Sequence, residues 1–388
     1  MNQISPLAFV HPEAKLGDNN IIGPFCYIDK DTVLGDNNVL QNSVTIHVGA
    51  RIGNNNEFFP GASISTKPQD LKFKGEQTTC EVGDNNSIRE NVTISRGTAS
   101  KGKTVVGSNN LLMETVHVAH DCVLGSGLII GNSTKFAGEV VVDDNAIVSA
   151  NVLVHQFCYI DKDTVLGDNN VLQNSVTIHV GARIGNNNEF FPGASISTKP
   201  QDLKFKGEQT TCEVGDNNSI RENVTISRGT ASKGKTVVGS NNLLMETVHV
   251  AHDCVLGSGL IIGNSTKFAG EVVVDDNAIV SANVLVHQFC HIAGYVMIQG
   301  GCRFSQDIPP YIIAGKEPTR YCSINLIGLR RRGFSNETIQ NIHEAYRLLY
   351  SKGILKEGIE EIKKNLEVTK EIQYIIDFVE SSQRGIIR

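Results

Sequence analysis

The stretch Leu34-Gly35-Asp36-Asn37-Asn38-Val39-Leu40 decides the fold. An aliphatic residue opens it, glycine and polar turn residues follow, and another aliphatic residue closes it six positions later. A period of six fits neither a helix, with 3.6 residues per turn, nor a simple strand, with a period of two. It fits a short strand followed by a sharp corner, where one aliphatic side chain points inward and Gly or Asn takes a positive φ.

The same period runs through most of the chain. An aliphatic or aromatic core residue recurs every six positions from Ile4 to Ile64, and the register resumes at Val82. Three such units close one triangular coil, and coils stacked at strand spacing, about 4.8 Å, form a parallel β-helix. We therefore predict a β-solenoid of hexapeptide repeats over residues 1–310, followed by a small C-terminal helical domain over 311–388.

The sequence also indicates where the solenoid ends and which helices follow it. Pro309-Pro310 ends the six-residue register. Residues 335–351, 355–365 and 369–382 then carry apolar side chains at helical spacing, which predicts three amphipathic helices.

Two segments interrupt the register, at residues 67–76 and 97–103. They have too many residues for the hexads that they replace, so we predict that both leave the solenoid as loops. Loops on a rigid scaffold often carry functional residues, and tolerated insertion is the equal alternative.

Composition limits the class of protein. The 388 residues carry a net charge of −6, which gives no overall basic field for nucleic acid. Nine cysteines without a CxxC motif favour reduced thiols over a disulfide framework. Neither a basic-then-apolar leader nor an apolar run near the roughly 20 residues of a membrane span is present. We expect a soluble, cytoplasmic protein without a transmembrane segment.

A large part of the chain is duplicated. Residues 26–157 return without one substitution as residues 158–289. Because the length of the repeat is a multiple of six, the register survives both junctions. Counting hexads gives four strands before the repeat, 19 in each copy and three after it, which makes about 15 coils. An unchanged repeat of this length indicates an engineered or very recent duplication.

A histidine-rich stretch occurs once in each copy. It is His117-Val118-Ala119-His120-Asp121-Cys122 in the first copy, and it returns at 249–254. A single histidine on such a strand is usually a stacked or surface residue. Two within four positions, beside an aspartate, favour a site, because histidine is the side chain best suited to act as a base near neutral pH.

Further motifs complete a resemblance. They are Gln69-Asp70-Leu71-Lys72, Val154-His155-Gln156-Phe157 and Gly328-Leu329-Arg330-Arg331-Arg332-Gly333-Phe334. With the hexads and the histidine stretch, they closely resemble the UDP-N-acetylglucosamine acyltransferases, which begin lipid A synthesis in Gram-negative bacteria. The resemblance covers the whole chain once one copy is removed.

The resemblance implies a left-handed β-helix and a homotrimer with active sites between subunits. It implies transfer of a 3-hydroxyacyl group from acyl carrier protein to the 3-hydroxyl of UDP-N-acetylglucosamine, without a metal or other cofactor. A histidine would be the general base, and a glycine N–H would face the developing oxyanion. The catalytic positions so implied are His252, Gly270 and Asp253, with His120, Gly138 and Asp121 in the first copy.

Strand alternation predicts that each aspartate points away from the neighbouring histidine, so that it cannot orient the ring directly. The resemblance also implies substrate contacts and a segment that measures the acyl chain. The substrate-binding positions are Gln201, Asp202, Lys204, His249, His287 and Gln288, their first-copy equivalents Gln69, Asp70, Lys72, His117, His155 and Gln156, and Arg331. The acyl-length positions are Met297 and Gly300.

The two copies are not expected to be equivalent. Nineteen strands are not a multiple of three, so the second copy should be turned by one solenoid face, and a threefold axis could use only one copy. Only the second copy is followed by Met297, Gly300 and Arg331. We therefore predict that the site works at His252, and that the site at His120 is incomplete or vestigial.

Three alternatives stay open at this point. A zinc hydratase of the same solenoid type would need three converging histidines, such as His117, His120 and His155. An engineered, extended β-helix with weak or no activity would keep the site residues by inheritance. A related N-acyltransferase usually carries an extra N-terminal domain, whereas the hexads here begin at Ile4.

Overall fold

A computed structural model describes residues 1–388, which form two compact units, 1–195 and 196–388. The strands of the first unit are β1 (Gln3–Ile4), β2 (Phe9–Val10), β3 (Lys15–Leu16), β4 (Ile21–Ile22), β5 (Tyr27–Ile28), β6 (Val33–Leu34), β7 (Val39–Leu40), β8 (Thr45–Ile46), β9 (Ala50–Ile52), β10 (Glu57–Phe58), β11 (Ser63–Thr66), β12 (Thr79–Val82), β13 (Ser87–Ile88), β14 (Thr93–Ser95), β15 (Lys103–Val106), β16 (Leu111–Leu112), β17 (His117–Val118), β18 (Val123–Leu124), β19 (Ile129–Ile130), β20 (Lys135–Phe136), β21 (Val141–Val142), β22 (Ile147–Val148), β23 (Leu153–Val154), β24 (Tyr159–Ile160), β25 (Val165–Leu166), β26 (Val171–Leu172), β27 (Thr177–Ile178), β28 (Ala182–Ile184) and β29 (Glu189–Phe190).

The strands that follow are β30 (Ser195–Thr198), β31 (Thr211–Val214), β32 (Ser219–Ile220), β33 (Thr225–Ser227), β34 (Lys235–Val238), β35 (Leu243–Leu244), β36 (His249–Val250), β37 (Val255–Leu256), β38 (Ile261–Ile262), β39 (Lys267–Phe268), β40 (Val273–Val274), β41 (Ile279–Val280), β42 (Leu285–Val286), β43 (His291–Ile292), β44 (Met297–Ile298), β45 (Arg303–Phe304), β46 (Ile312–Gly315) and β47 (Arg320–Ile324). The helices are α1 (Leu326–Arg331), α2 (Asn336–Leu349), α3 (Leu355–Asn365) and α4 (Lys370–Ser381).

The hexad count is confirmed. Four strands precede the repeat, 19 lie in each copy and three follow it before β46. Both register breaks are loops, one between β11 and β12 and one between β14 and β15, and their second-copy equivalents are loops as well. None of the nine cysteines is in a disulfide.

In the first unit each strand pairs in parallel with the strand three places further along the chain, as β5 does with β8 and β17 with β20. The pairing builds three parallel sheets, which is the predicted β-helix. The second residue of a strand points inward, so that Ile28 and Leu40 are fully buried. The inward column supplies the core of the unit, and its burial is the main stabilising contribution.

The corners between strands take the left-handed backbone conformation. Asn19, Asn37 and Asn55 have φ values of 59°, 58° and 57°. Asparagine tolerates this region better than most residues with a side chain, because its short amide can bond locally. This explains why the hexads are rich in Asn.

A second set of asparagines forms a buried ladder inside one corner. The Asn56 side chain donates to the Gly83 carbonyl at 2.9 Å, and its oxygen accepts from the backbone N–H of Asn86 at 2.9 Å. The same bonds recur from coil to coil, as at Asn86, whose side chain donates to the Gly107 carbonyl at 2.9 Å. The ladder therefore supplies partners for backbone groups that face inward at the corner.

The second unit repeats the coiled parallel strands and then departs from them. Strand β46 pairs in parallel with β44, and β47 returns antiparallel to β46. Sheet structure therefore continues through β46 and β47, beyond Pro309-Pro310, where the sequence predicted its end. A domain boundary at residue 310 stays a prediction.

The three predicted helices are confirmed as α2, α3 and α4, and the short α1 was not predicted. The Tyr346 hydroxyl of α2 donates to the Pro310 carbonyl at 2.6 Å, and the Gly294 N–H donates to the Tyr374 hydroxyl of α4 at 2.9 Å. These bonds tie the helices to the strands of the same unit. No helix has the length and apolar character needed to cross a membrane.

Replacing Asn56 with alanine is expected to lower the free energy of unfolding by about 2–4 kcal/mol, because it leaves the Gly83 carbonyl and the Asn86 N–H buried without partners. Denaturant-induced unfolding measures the change. The control is Lys30→Ala at an exposed position, expected to stay within about 0.5 kcal/mol. Equal effects of the two substitutions would contradict a structural role for the ladder.

Candidate active site

The central feature of the site is a hydrogen-bonded pair of adjacent residues, His252 and Asp253, called here the dyad. The Nδ1 atom of His252 lies 2.8 Å from Oδ2 of Asp253. The prediction that the aspartate points away was wrong. Strand β36 ends at Val250, and Asp253 occupies a left-handed corner with φ 61°. Strand alternation does not apply there, and the corner turns the carboxylate towards the imidazole.

The Asp253 carboxylate is fully buried and has several donors. The Thr230 N–H donates to Oδ1 at 2.9 Å, and the Thr230 hydroxyl donates to Oδ2 at 2.6 Å. Burial acts to raise the pKa of Asp253, but the hydrogen bonds from Thr230 and His252 outweigh it, and the pKa lies below its ordinary value. A charged carboxylate therefore faces Nδ1, which fixes the ring tautomer that leaves Nε2 unprotonated.

Gly270 lies against the imidazole of the dyad. A Cβ atom at this position would be 2.7 Å from Cε1 and 2.8 Å from Nε2 of His252, so no side chain fits without moving the ring. The Gly270 N–H donates no hydrogen bond within the chain. A free N–H close to a base is what an oxyanion donor requires, and that role stays a prediction for this glycine.

A cavity of about 580 Å³ has on its wall Ala251, the residue directly before the dyad in the chain. His249 is on its wall, and its Nδ1 atom is 2.7 Å from the Thr225 hydroxyl. Burial lowers the pKa of the His249 imidazole, and the Lys267 ammonium lowers it further. The cavity is lined by His249, Ala251, Lys267, Phe268, Ala269, Leu285, Val286, His287, Arg303, Phe304 and Ser305.

The structure brings only part of the predicted site together. His249 and His287 line the cavity, and Ala251 and Ala269 of its wall directly precede the dyad and Gly270 in the chain. The predicted residues away from this wall are Gln201, Asp202, Lys204, Gln288, Met297, Gly300 and Arg331.

Three of these residues lie on the surface or on a strand away from the cavity. Gln288 and Arg331 are exposed. Met297 lies on β44, between β41 and β46, rather than on the cavity strands.

The loop after β30 has a defined shape of its own. The Asp202 carboxylate accepts a hydrogen bond from the Lys204 N–H at 2.9 Å, which closes a tight turn. The Arg228 guanidinium stacks on the ring of Phe205, 5.3 Å from its centroid. Leu203 is fully exposed at the tip. The loop thus presents a preformed Asp–Leu–Lys tip to the surface.

The first copy contains the same local geometry. His120 Nδ1 is 2.9 Å from Asp121 Oδ2, with Asp121 at φ 62°, and a Cβ at Gly138 would lie 2.6 Å from the His120 ring. The Thr98 N–H and hydroxyl donate to Asp121 at 2.9 and 2.6 Å. The predicted asymmetry between copies therefore does not arise in the dyad.

The copies differ three coils beyond the histidine strand. In the second copy Leu285 of β42 pairs with Arg303, and the equivalent Leu153 of the first copy pairs with Val171. The guanidinium of Arg303 is thus one feature of the cavity wall that the first copy lacks. The prediction that only the second site works stays a prediction.

The first-copy positions Gln69, Asp70, Lys72, His117, His155 and Gln156 repeat the arrangements just described. The Asp70 carboxylate accepts from the Lys72 N–H at 2.8 Å, and His117 Nδ1 is 2.6 Å from the Thr93 hydroxyl. His155 is half-buried and Gln156 is exposed. No three His, Cys, Asp or Glu side chains in the chain are grouped as metal ligands, and this includes His117, His120 and His155.

Sequence reasoning missed Thr230, Lys267 and Arg303. Lys267 and Arg303 occupy outward positions on the same solenoid face as His249, and stepping forward from His249 by one coil of three hexads would have reached Lys267. Thr230 lies in a loop well before Asp253 in the chain, and no regular spacing links the two.

The comparisons with known proteins first define a class. Residues 13–48 match the family model described as bacterial transferase hexapeptide (six repeats). This match agrees with the coiled parallel sheets, and the two together define the class of fold, a β-helix of hexapeptide repeats.

The relatives then define the family. Residues 307–387 match the model described as Udp N-acetylglucosamine O-acyltransferase, domain 2. The acyl-[acyl-carrier-protein]–UDP-N-acetylglucosamine O-acyltransferase of Chlorobaculum parvum is 51% identical over 207 residues, which are 53% of this chain and 78% of the relative. The enzyme of the same name from Thermodesulfovibrio yellowstonii is 39% identical over 53% of this chain and 80% of its own length. The chain belongs to the UDP-N-acetylglucosamine O-acyltransferase family.

A solved structure agrees with this assignment. The UDP-N-acetylglucosamine acyltransferase of Bacteroides fragilis is 42% identical with a TM-score of 0.52, and the match covers all of both chains. Membership of this family favours the acyltransferase interpretation over the zinc hydratase.

Replacing Gly270 with alanine is expected to displace the His252 ring and to break the dyad, because the new methyl would overlap Cε1 and Nε2. A crystal structure of the variant measures the Nδ1–Oδ2 distance. Gly138→Ala is the matched variant of the first copy, with the same expected displacement of His120. A dyad distance unchanged in both variants would contradict the close contact.

Replacing His249 with glutamine is expected to flatten the pH dependence of stability below about pH 6.5. The folded-state pKa of His249 is lowered, so the unfolded chain binds more protons in this range and stability rises with pH. The stability that the neutral His249 contributes to the folded state is fully present above the ordinary pKa, about 6.5. It is lost as the pH falls towards the lower pKa of the folded state. Unfolding free energies at several pH values measure the slope.

His117→Gln is the matched variant, because burial also lowers the pKa of His117. Each substitution should reduce the slope of unfolding free energy against pH. A steeper slope in either variant would contradict the assigned direction.

Proposed function

We propose that the protein transfers a 3-hydroxyacyl group from acyl carrier protein to the 3-hydroxyl of UDP-N-acetylglucosamine, the first step of lipid A biosynthesis. The observation that carries the proposal is the dyad, which packs against a glycine with a free N–H beside a cavity. The names of the relatives from Chlorobaculum and Thermodesulfovibrio supply the donor and the acceptor.

In the proposed reaction His252 is the general base. Its Nε2 takes the proton of the sugar 3-hydroxyl as that oxygen attacks the thioester carbonyl carbon. The Gly270 N–H donates to the oxyanion of the tetrahedral intermediate. The intermediate collapses with cleavage of the carbon–sulfur bond, and the imidazolium returns the proton to the leaving thiolate. Asp253 stabilises the imidazolium throughout.

The neighbouring groups fit substrate binding. His249 is a neutral donor or acceptor on the cavity wall. Leu285 offers apolar surface between the cations of Lys267 and Arg303, which suits an acyl chain that is joined to a phosphate-bearing arm. His287 lies at the same wall, with the Arg384 guanidinium 3.4 Å from its Nδ1.

Two predicted substrate contacts lie away from this wall. Gln288 and Arg331 are assigned to sugar and to phosphate or carrier-protein contacts on the basis of the family resemblance. Their exposure leaves both side chains open to a bound substrate or a docked carrier protein.

We propose a homotrimer as the working assembly. The Asp202–Lys204 tip does not line the cavity of its own chain. Met297 lies on β44 and Gly300 in the turn after it, and neither lines the cavity. A neighbouring subunit placed against the cavity would supply both sets. Gln201, Asp202 and Lys204 would then hold the nucleotide sugar, and Met297 and Gly300 would limit the acyl chain. The expected location is the cytoplasm, where acyl carrier protein is present.

We assign the working site to His252 and regard the His120 site as vestigial. The hexad count supports this, because the 19 strands of a copy are not a multiple of the three strands of a coil. The segments with Met297, Gly300 and Arg331 also follow only the second copy.

His252→Ala is expected to lower the rate of acyl transfer about 10²- to 10⁴-fold, the usual contribution of a general base. His120→Ala is expected to retain most of the activity. The assay uses the purified chain, UDP-N-acetylglucosamine and 3-hydroxyacyl carrier proteins of several chain lengths.

Light scattering on the same samples is expected to give three times the chain mass of 42.1 kDa.

Equal losses of activity in His252→Ala and His120→Ala would refute the asymmetry between the copies. Full activity in the double variant would refute the proposed function.

A further inference from the structure

One loop of the second unit contacts both the dyad and the residue beside Gly270. It is the segment between β33 and β34, for which the sequence allowed either a functional loop or a tolerated insertion. Its residue Thr230 is 6% exposed and donates two hydrogen bonds to Asp253, from the N–H to Oδ1 at 2.9 Å and from the hydroxyl to Oδ2 at 2.6 Å.

We infer that Thr230 is a positioning residue for the base: it fixes both oxygens of the Asp253 carboxylate, and the carboxylate in turn fixes the His252 imidazole. The inference rests on the proposed function, in which His252 takes the proton of the sugar hydroxyl. Thr230 does not touch the reacting atoms.

The geometry explains why the carboxylate needs a second partner. The torsion that turns a carboxyl group is broad, so an aspartate held at one oxygen still rocks about the bond to its carboxyl carbon. Here Oδ1 accepts from the Thr230 backbone, and Oδ2 accepts from both the Thr230 hydroxyl and His252 Nδ1. The carboxylate plane is thereby fixed. Because Gly270 closes another side of the imidazole, the ring keeps one orientation, with Nε2 against the glycine.

The same loop also holds the peptide that follows the proposed oxyanion donor. The Ser232 hydroxyl donates to the Glu271 carboxylate at 3.2 Å, and the Lys233 ammonium lies 3.7 Å from it. The Glu271 N–H donates to the His252 carbonyl at 3.0 Å. The loop is therefore attached to the base and to the residue beside Gly270, which a tolerated insertion would not need.

Thr230→Val removes the hydroxyl and keeps the shape and the backbone N–H. The carboxylate then has one donor fewer, so its charge attracts the His252 imidazolium more strongly and the imidazolium loses its proton less readily. The acid limb of the kcat/KM profile should move to higher pH. The plateau at high pH should fall about 10-fold, the lower end of the loss that follows removal of a partner orienting a metal-bound histidine. Thr230→Ser should restore both.

The chain offers its own control for a purely structural effect. Thr98 makes the same two bonds to Asp121 at 2.9 and 2.6 Å. Thr98→Val should therefore lower the unfolding midpoint as much as Thr230→Val does. A comparison of the two separates loss of fold stability from loss of positioning.

The inference is supported if Thr230→Val shifts the acid limb upward and Thr230→Ser returns it. It is overturned if the limb stays in place in Thr230→Val while His252→Ala is inactive, or if Thr230→Ser behaves as Thr230→Val does. If His252→Ala retains full activity, the proposed function fails instead, since the base itself would then be dispensable.

Discussion

The left-handed corner that recurs every six residues is the constraint on which the structure depends. It turns the chain after each short strand, so that one side chain per strand enters the core and the backbone groups pair with the next coil. Asparagine at Asn19, Asn37 and Asn55 meets the requirement at structural corners. Asp253 occupies the same kind of corner, and there the turn places its carboxylate beside the preceding histidine. The same left-handed corner thus shapes both the solenoid and the dyad.

Much of the fold was predictable because the corner leaves a period of six in the sequence. The strand count, both loops and the helices α2, α3 and α4 followed from periodicity alone. The strands β46 and β47 did not, because they carry no hexad pattern. Helix α1 is six residues long and is capped by the Asn325 side chain, which accepts from the Gly328 N–H. Such a short helix has no periodicity to recognise.

The site was predictable in its residues and less so in its geometry. The motifs identified His252, Asp253 and Gly270, but the alternation rule for strands gave the wrong direction for the aspartate, because that residue lies past the strand end. The contact from Thr230 joins a loop to a corner that is distant in sequence, and only the folded chain brings them together.

The duplication separates local from contextual requirements. Both copies form the dyad, with Nδ1–Oδ2 distances of 2.9 Å in the first and 2.8 Å in the second, and both place a glycine on the imidazole. In the proposed enzyme a working site also needs a cavity wall, an acyl-limiting segment and a loop from a neighbour. Those features depend on the segment after each copy and on how chains assemble. Only the second copy is followed by Met297, Gly300 and Arg331, which the family resemblance assigns to the site.

A crystal structure of the protein with UDP-N-acetylglucosamine tests this account most directly. The account predicts the sugar 3-hydroxyl within hydrogen-bond distance of His252 Nε2, with Lys204 of the partner subunit on the nucleotide sugar. A sugar bound at His120, or bound at a place remote from both histidines, would contradict it.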